Sequence, residues 1–294
     1  MAYLLLTLAA IFWGGNYVVG HMLVQEIDPY ILSLVRWGGT TILMLSFYWR
    51  SFRQDLPVLA DNLGGNIVLS FLGQVSFPLT LYIGLQYTSS LNAAIYISCT
   101  PCMVLLINYF IFHENISWRN IVGVLASTTG VVYLAFSGGE DAKDMQAFGW
   151  GDVLTIISAL SWAFYCALLR LKNKQVNSTS FVAFSSLIGT IILVPIVLVR
   201  ITLVDPPEMI RFSFSPLLII GVFYLILFPS WLSYVFWNKG VALIGTTRSE
   251  IYTHLIPVSG GLMGILFLGD SLEAHHMITL VLIIFGIVCC STKK

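Results

Sequence analysis

The amino-acid sequence predicts an all-α integral membrane protein with ten transmembrane helices in two inverted five-helix repeats. Three observations predict this class: the composition, a series of long apolar stretches, and a weak internal repeat. The chain has 294 residues, of which 57% are hydrophobic and 10% are charged, and its mean hydropathy is +0.88. A soluble protein carries about 25% charged residues, so most of this surface is expected to face lipid. The 14 basic and 14 acidic residues cancel, which gives no basic surface for nucleic acid.

Ten stretches are long and apolar enough to cross a bilayer, which takes about 20 mainly apolar residues per helix. They cover residues 3–22, 31–49, 65–85, 93–112, 118–136, 151–169, 181–199, 216–237, 249–268 and 276–290. Their hydrophobicity is continuous and does not alternate, which favours helices over a β-barrel. The remaining loops are short, so no room is left for a soluble domain.

An internal repeat divides the chain into two halves. A polar connecting loop, 137–149, separates a first five-span unit, 1–136, from a second, 150–294. The matching positions are Trp13 and Trp162 and, at a second, constant offset, Gly84 and Gly240, Tyr96 and Tyr252, and Pro101 and Pro257. Because five is odd, the second half must enter the membrane upside down relative to the first. Inverted repeats are typical of secondary transporters, whose substrate site lies near the membrane midplane between the halves.

The distribution of Lys and Arg predicts the orientation, because short cytoplasmic loops are enriched in both. With the N-terminus inside, the cytoplasmic loops and tail hold Arg50, Arg53, Arg119, Arg170, Lys172, Lys174, Lys239, Arg248, Lys293 and Lys294. The outside loops hold only Lys143, Arg200 and Arg211. We therefore expect both termini to be cytoplasmic, and the short loops favour a prokaryotic inner membrane.

Several motifs together resemble a known family. Residues 11–20 (IFWGGNYVVG), followed by Pro29 and Arg36, resemble the start of an EamA domain of the drug/metabolite transporter superfamily. Residues 84–94 resemble the passage from span 3 to span 4, and the second half repeats related motifs up to Asp270. The resemblance implies ten helices in two inverted repeats around a central cavity, with transport of small metabolites by alternating access. At span 6 the repeat is degenerate, because residues 162–165 (WAFY) stand where the first half has WGGN.

Aromatic and amide side chains within the spans are the candidate substrate-binding residues. They are Trp13, Asn16, Tyr82, Tyr96, Trp162, Tyr165, Tyr234 and Tyr252. Aromatic faces suit apolar, planar or cationic cargo, and the repeat-related Tyr96 and Tyr252 could flank the site symmetrically. Ordinary helix packing or anchoring at the membrane surface is the alternative for each ring. Asn16 is expected to point inward, since an amide should not face lipid.

Three ionisable residues are candidates for coupling or gating, because charges inside a membrane are costly. Arg36 lies within span 2; its alternative is a structural arginine that reaches back to the interface or pairs with helix ends. Glu250 and His254 are spaced i and i+4 and would share a face of an α-helix. Together they could pass protons or bind an ammonium group. Alternatively, Glu250 pairs with Arg248 or Lys239 at the cytoplasmic interface, and His254 hydrogen-bonds a neighbouring helix.

Two repeat-related prolines, Pro101 and Pro257, are interpreted as helix bends beside the site. Cys99 and Cys102 have the spacing of a redox pair, but they lie in a span without a second metal-ligand cluster and are interpreted as structural. The sequence has no nucleophile elbow, zinc-protease motif or phosphate-binding glycine loop. It therefore predicts no enzyme activity, no metal and no cofactor.

The sequence best fits a secondary transporter that exports a small metabolite, such as an amino acid, a related compound or a drug. An importer of an amine or quaternary ammonium compound such as choline, coupled to protons, is the alternative. An intramembrane enzyme that uses Cys99, Cys102 or His254 is disfavoured by the missing catalytic sets, and a membrane receptor by the missing output domain. The expected partners are the substrate, a coupling proton or ion, and the lipid bilayer, with no nucleic acid; the sequence leaves the oligomeric state open.

Overall fold

A computed structural model describes residues 1–88, 93, 96–137, 149–204, 212–268 and 274–291. The first half contains α1 (Ala2–Leu23), α2 (Pro29–Asp61), α3 (Leu63–Ser70), α4 (Phe77–Gly84), α5 (Thr100–Phe112) and α6 (Trp118–Ser137). The second half contains α7 (Trp150–Leu168), α8 (Ser178–Val199), α9 (Pro216–Leu225), α10 (Ser233–Ile244), α11 (Thr246–Glu250), α12 (Leu255–Leu268) and α13 (Ala274–Ser291). The protein is all-helical across these residues, apart from one isolated antiparallel bridge between Ile27 and Phe212.

Within the described residues, six helical segments are long and apolar enough to cross a membrane, which makes this a multi-pass membrane protein. They are Ala2–Leu23, Pro29–Asp61, Leu63–Gly84, Trp150–Leu171, Ser178–Leu203 and Pro216–Ile244. Each coincides with a predicted span. The other four predicted spans overlap α5, α6, α12 and α13. Two of these helices coincide in part with the shorter apolar helices Tyr96–Phe112 and Met277–Cys289. The all-helical class is confirmed, and the count of ten spans stays a prediction.

Most of the predicted connecting loop lies outside the described residues. So do several residues used to predict the orientation or the repeat, namely Lys143, Arg211, Asp270, Lys293 and Lys294. The division into 1–136, 137–149 and 150–294 therefore stays a prediction.

Side-chain caps fix where several helices begin. The Asp28 carboxylate accepts a hydrogen bond from the Tyr30 backbone N–H at 2.8 Å, with Pro29 at the first position of α2. Asn177 caps α8 through the N–H of Thr179 at 3.1 Å. These side chains satisfy backbone donors that a helix N-terminus leaves unpaired. Residues of the short polar loops therefore determine where α2 and α8 begin.

Helix α2 is longer than the predicted span 31–49 because it continues past a kink. Tyr48 has φ −116° and ψ 18°, which are not helical values. The segment beyond the kink carries the exposed Arg50 and the buried Phe52. An amphipathic continuation of this kind suits the membrane surface.

Helices from the two halves pack against each other throughout the bundle. Helix α1 packs on α10 and α12, α2 on α8, α4 on α7, and α6 on α13. A space between the halves is consequently lined by helices of both.

Of the three π-helical segments in the described residues, Arg200–Val204 follows α8, and the other two occur at corresponding places in the halves. Phe71–Ser76 precedes α4, and Ile226–Leu232 precedes α10. A π-segment shifts the hydrogen-bond register and leaves backbone groups available to other partners, and such segments are frequent at functional sites. Both therefore mark positions to inspect for a site.

Glycine at position 14 permits the close crossing of α1 and α12. A Cβ added to Gly14 would lie 2.8 Å from the backbone nitrogen of Gly260 and 2.9 Å from the carbonyl oxygen of Ile256. Since both neighbours are backbone atoms, they cannot rotate away. Small residues allow this approach between membrane helices.

We expect Gly14→Ala to destabilise the protein by about 1–3 kcal/mol, the usual cost of overpacking. Gly64→Ala is the matched control, because a Cβ there meets nothing within 4 Å. The thermal unfolding midpoints of the two detergent-purified variants measure the difference. Equal midpoints would show that the crossing is looser than described.

Candidate functional site

Five aromatic side chains from three helices form a buried cluster between the halves. We call the set Trp13 of α1, Trp162 and Tyr165 of α7, and Tyr234 and Trp237 of α10 the aromatic cluster. Trp162 lies at its centre, with ring centroids 4.8 Å from Trp13, 5.2 Å from Tyr165, 5.8 Å from Tyr234 and 5.6 Å from Trp237. Four of these five rings are predicted site residues, and the structure brings them together.

The two π-segments orient this cluster through their backbone carbonyls. The Trp13 indole N–H donates to the Pro229 carbonyl at 2.9 Å, and the Tyr234 hydroxyl donates to the Gly73 carbonyl at 2.5 Å. Each bond crosses from one half of the chain to the π-segment of the other. The local departures from α-helix thus hold the aromatic cluster in place.

A polar cluster, composed of Arg36, Asn16, Tyr82 and Ser230, lies beside the aromatic cluster. The Arg36 side chain is fully buried and donates to Asn16 Oδ1 at 3.0 Å, to the Tyr82 hydroxyl at 2.5 Å and to Ser230 Oγ at 2.5 Å. Its Nη2 has no hydrogen-bond partner. Arg36 therefore does not reach the membrane interface, and it links helices of the first half to the π-segment of the second.

Glu250 is buried inside the bundle and does not pair at the membrane surface. The residue is 1% exposed, and neither carboxylate oxygen has a hydrogen-bond partner. Trp162, Thr100 and Cys166 flank the carboxylate, but none of them reaches it with hydrogen-bond geometry. The alternative in which Glu250 pairs with Arg248 or Lys239 does not describe this arrangement.

The predicted pairing of Glu250 with His254 rests on α-helical spacing that the segment lacks. Ile251–His254 is a 3₁₀-helix, in which each residue turns by about 120° and i, i+3 positions align. The His254 Nε2 instead lies 2.7 Å from the Ser98 carbonyl oxygen. The histidine is thereby tied to the backbone of the segment before α5.

The two repeat-related tyrosines lie away from the aromatic cluster. Tyr252 stacks on Tyr3 in the first turn of α1, with centroids 6.2 Å apart. Tyr96 interacts with Asp152 in the first turn of α7. Pro101 lies in the first turn of α5, and Pro257 lies in the first turn of α12, directly after the 3₁₀-helix Ile251–His254; that these prolines bend their spans beside the site stays a prediction. Proline is tolerated there because the missing N–H would be unpaired anyway.

A cavity of about 930 Å³ opens at one end of the bundle. We call this the basic end, because its mouth carries Arg170, Lys172, Lys174 and Arg248. The cavity extends inward to Asn238, whose amide nitrogen donates to the Tyr165 hydroxyl at 3.0 Å. A path of contacts therefore leads from the cavity to the aromatic cluster.

Charges at the cavity mouth are partly neutralised by the protein itself. Arg170 forms an ion pair with Glu114 at 2.8 Å and lies over the Phe112 ring. Burial lowers the pKa of Lys172 to about 8, although the nearby carboxylate of Asp55 opposes this shift. The mouth consequently loses one positive charge as the pH rises through about 8.

At the opposite end of the bundle, the loop after α1 contacts the segment before α9. Ile27 and Phe212 form the antiparallel bridge, and the Ser213 N–H donates to the Glu26 carbonyl at 2.8 Å. The Ser215 hydroxyl donates to the Glu26 carboxylate. The loop after α1 is thus joined to the segment before α9.

Sequence reasoning missed three residues of the site: Ser230, Trp237 and Asn238. Trp237 is the last residue of a predicted span, where an indole is usually an interfacial anchor. Its position therefore did not indicate a role in the site. Asn238 and Ser230 are polar residues next to Trp237 and Pro229 in an apolar stretch, and that signal could have found them. Among the described residues no cluster of three potential metal ligands occurs, and no disulfide joins Cys99 to Cys102.

Comparison with known proteins identifies the family. The model of the EamA-like transporter family matches residues 1–136 and 149–292. The chain belongs to the EamA-like transporter family. The expected resemblance is confirmed, and this EamA-like protein is a membrane transporter by family.

Relatives of this EamA-like transporter match along its whole length. The uncharacterized transporter YetK of Bacillus subtilis is 27% identical over 100% of this chain and 87% of its own. A transporter of Archaeoglobus fulgidus is 24% identical over 99% and 98%. A Chlamydia muridarum protein named S-adenosylmethionine/S-adenosylhomocysteine transporter is 24% identical over 92% and 85%. A solved crystal structure aligns with a TM-score of 0.76 over 99% of this chain and 96% of its own, at 16% identity, which shows the shared fold.

Proposed function

We propose that the protein is a secondary active transporter that exports a small metabolite by alternating access. One observation carries the proposal: the cavity at the basic end extends to Asn238, which hydrogen-bonds Tyr165 of the aromatic cluster, while at the opposite end Ile27 pairs with Phe212. A site that is reachable from one side only is one of the two states that alternating access requires. The volume of about 930 Å³ suits a small-molecule ligand.

We also propose the inverted repeat, with residues 1–136 and 150–294 as its units. The π-segments support it, because Phe71–Ser76 leads into α4 of the first half and Ile226–Leu232 leads into α10 of the second. The positions of Tyr96 and Tyr252 support the inversion. Tyr252 contacts the start of α1, at the basic end, and Tyr96 contacts the start of α7, at the other end.

The proposed orientation places the basic end in the cytoplasm of a cell with an inner membrane, with both termini inside. The positive-inside rule supports this placement. In that orientation the open cavity faces the cytoplasm, so an export substrate can enter it directly. The name of the Chlamydia muridarum relative supports an organic metabolite as cargo.

Counterflow in proteoliposomes tests the transporter proposal. Vesicles loaded with unlabelled amino acids, amines, nucleosides or sugars are diluted into trace labelled compound of the same class. We expect one class to produce transient accumulation of label above that in protein-free vesicles, because a carrier exchanges cargo and a channel does not. Chemical conversion of a compound without accumulation of label would favour the intramembrane enzyme and contradict the proposal.

A further inference from the structure

Five of the buried polar atoms that lack a hydrogen-bond partner in the described residues lie in or next to the aromatic cluster. They are both carboxylate oxygens of Glu250, Asn238 Oδ1, and the indole nitrogens of Trp162 and Trp237. Buried polar atoms are normally hydrogen-bonded, so each exception calls for an explanation such as an absent ligand. Four residues with such exceptions in one neighbourhood point to a ligand that completes them.

The carboxylate of Glu250 determines the charge of that ligand. An ionised carboxylate without a partner in a low-dielectric interior is strongly unfavourable. Its flanking side chains, Thr100, Cys166 and Trp162, carry no positive charge. His254 makes its contact with the Ser98 carbonyl instead. A cationic ligand would supply the missing counter-charge.

The surrounding rings favour a cation as well. Trp162 flanks the carboxylate of Glu250. The ring centroids of Trp13, Tyr234 and Trp237 lie within 5.8 Å of the Trp162 ring centroid. Aromatic faces attract ammonium groups through their quadrupoles, and this attraction is strongest where water is excluded. Carboxylate and rings together form a site of the type that binds organic ammonium ions.

The neutral groups define a second feature of the ligand. Asn238 Oδ1 is a free acceptor, which suits an ammonium N–H or a hydroxyl. The two indole N–H groups are free donors, which suit an oxygen acceptor on the ligand. An ammonium group and an oxygen on one small molecule would satisfy both sets.

The basic residues at the cavity mouth are the main argument for an anionic ligand. Arg170 is paired with Glu114, while Lys172 donates to the Val176 carbonyl and lies over the Phe181 ring. Arg170 and Lys172 are thus engaged by the protein itself. Deeper in the bundle, Arg36 also donates three hydrogen bonds within the protein, whereas neither oxygen of the Glu250 carboxyl group has a partner. The inner site therefore favours a cation.

We propose that the cargo is a small metabolite that carries an ammonium group and a nearby oxygen, bound by Glu250, Asn238 and the aromatic cluster. The proposal rests on the proposed transport function and names its substrate class. In this account Glu250 is a binding residue that touches the cargo.

Tryptophan fluorescence of the detergent-purified protein tests the proposal without requiring transport. The probes are choline and ethanolamine, with their neutral counterparts 3,3-dimethylbutan-1-ol and 1-propanol, and with succinate as the anion. We expect a saturable change with at least one ammonium probe, and at least tenfold weaker binding of its neutral counterpart. Glu250→Gln should weaken that binding at least tenfold, and Glu250→Asp should weaken it less, because the charge is kept.

Asp61→Asn is the matched control, since Asp61 is exposed at the end of α2 and should leave binding unchanged. Thermal midpoints establish that each variant is folded. Equal binding of neutral and ammonium probes, binding of succinate alone, wild-type affinity in Glu250→Gln, or no response to either ammonium probe would overturn the proposal. A neutral or anionic cargo in the counterflow screen would overturn it too, while leaving the transporter proposal intact.

Discussion

Replacing Arg36 with Met should reduce transport at least tenfold while leaving the protein folded. The guanidinium makes three hydrogen bonds to Asn16, Tyr82 and Ser230 in the state whose cavity opens at the basic end. A hydrogen bond to a charged group contributes about 1.5–3 kcal/mol, and each 1.4 kcal/mol is about a factor of ten in an equilibrium. Losing these bonds shifts the balance between the two states of the carrier.

Stability should change little, because the partners of Arg36 retain other bonds. The Tyr82 hydroxyl can donate to Asn16 Oδ1 at 2.9 Å, and the Ser230 hydroxyl donates to the Leu225 carbonyl at 2.7 Å. The substitution also removes a buried cation, whose desolvation costs several kcal/mol. We therefore expect a thermal midpoint within a few degrees of that of the wild type, or above it.

Counterflow rate and thermal midpoint are measured on the same preparations of Arg36→Met. Arg50→Met, an exposed position beyond the α2 kink, controls for the loss of an arginine from the same helix. Wild-type transport in Arg36→Met would remove Arg36 from the gating mechanism. Unfolding would instead assign it a structural role.

Much of the fold could be predicted because lipid imposes a simple rule on sequence. Every backbone polar group in the hydrocarbon must be satisfied within the segment, so a long apolar stretch has to be helical. The six long membrane helices follow from this rule. The predicted repeat also relates Trp13 to Trp162, and the ring centroids of these two residues are 4.8 Å apart.

The local breaks could not be predicted, because π and 3₁₀ segments have no composition of their own. The segment Ile226–Leu232 is as apolar as the α-helices beside it, and only Pro229 hints at a change. The 3₁₀ turn Ile251–His254 likewise separates Glu250 from His254, which α-helical spacing would have paired. Both depend on contacts between the halves that a local pattern does not contain.

The sequence predicts the charged residues of the candidate site but not their partners, because the partners depend on contacts between the halves. Polar groups such as Arg36 and Glu250 stand out in a chain with 10% charged residues. Their partners do not, because Ser230 and Trp237 are ordinary residues until the bundle brings them to the site. The scarcity of charged residues therefore identifies the candidate site residues, while the packing of the helices determines what these residues contact.

Locking the opposite end should stop transport, which is the second large effect that we expect. Ile27 and Phe212 are directly paired in an antiparallel bridge, and such pairs have Cα atoms about 4.5–5.5 Å apart. A disulfide needs about 4.4–6.8 Å, so cysteines at these positions can be joined without moving the backbone. If the ends open alternately, the bond holds the carrier in a single state.

The double variant Ile27→Cys/Phe212→Cys is made in a background without the 5 native cysteines that retains counterflow. The two single variants are the controls for oxidation itself. Counterflow of the compound found in the screen is then measured before oxidation, after oxidation and after reduction. Alternating access predicts that oxidation abolishes flux in the double variant alone and that reduction restores it; undiminished flux through the fully cross-linked protein would contradict the mechanism.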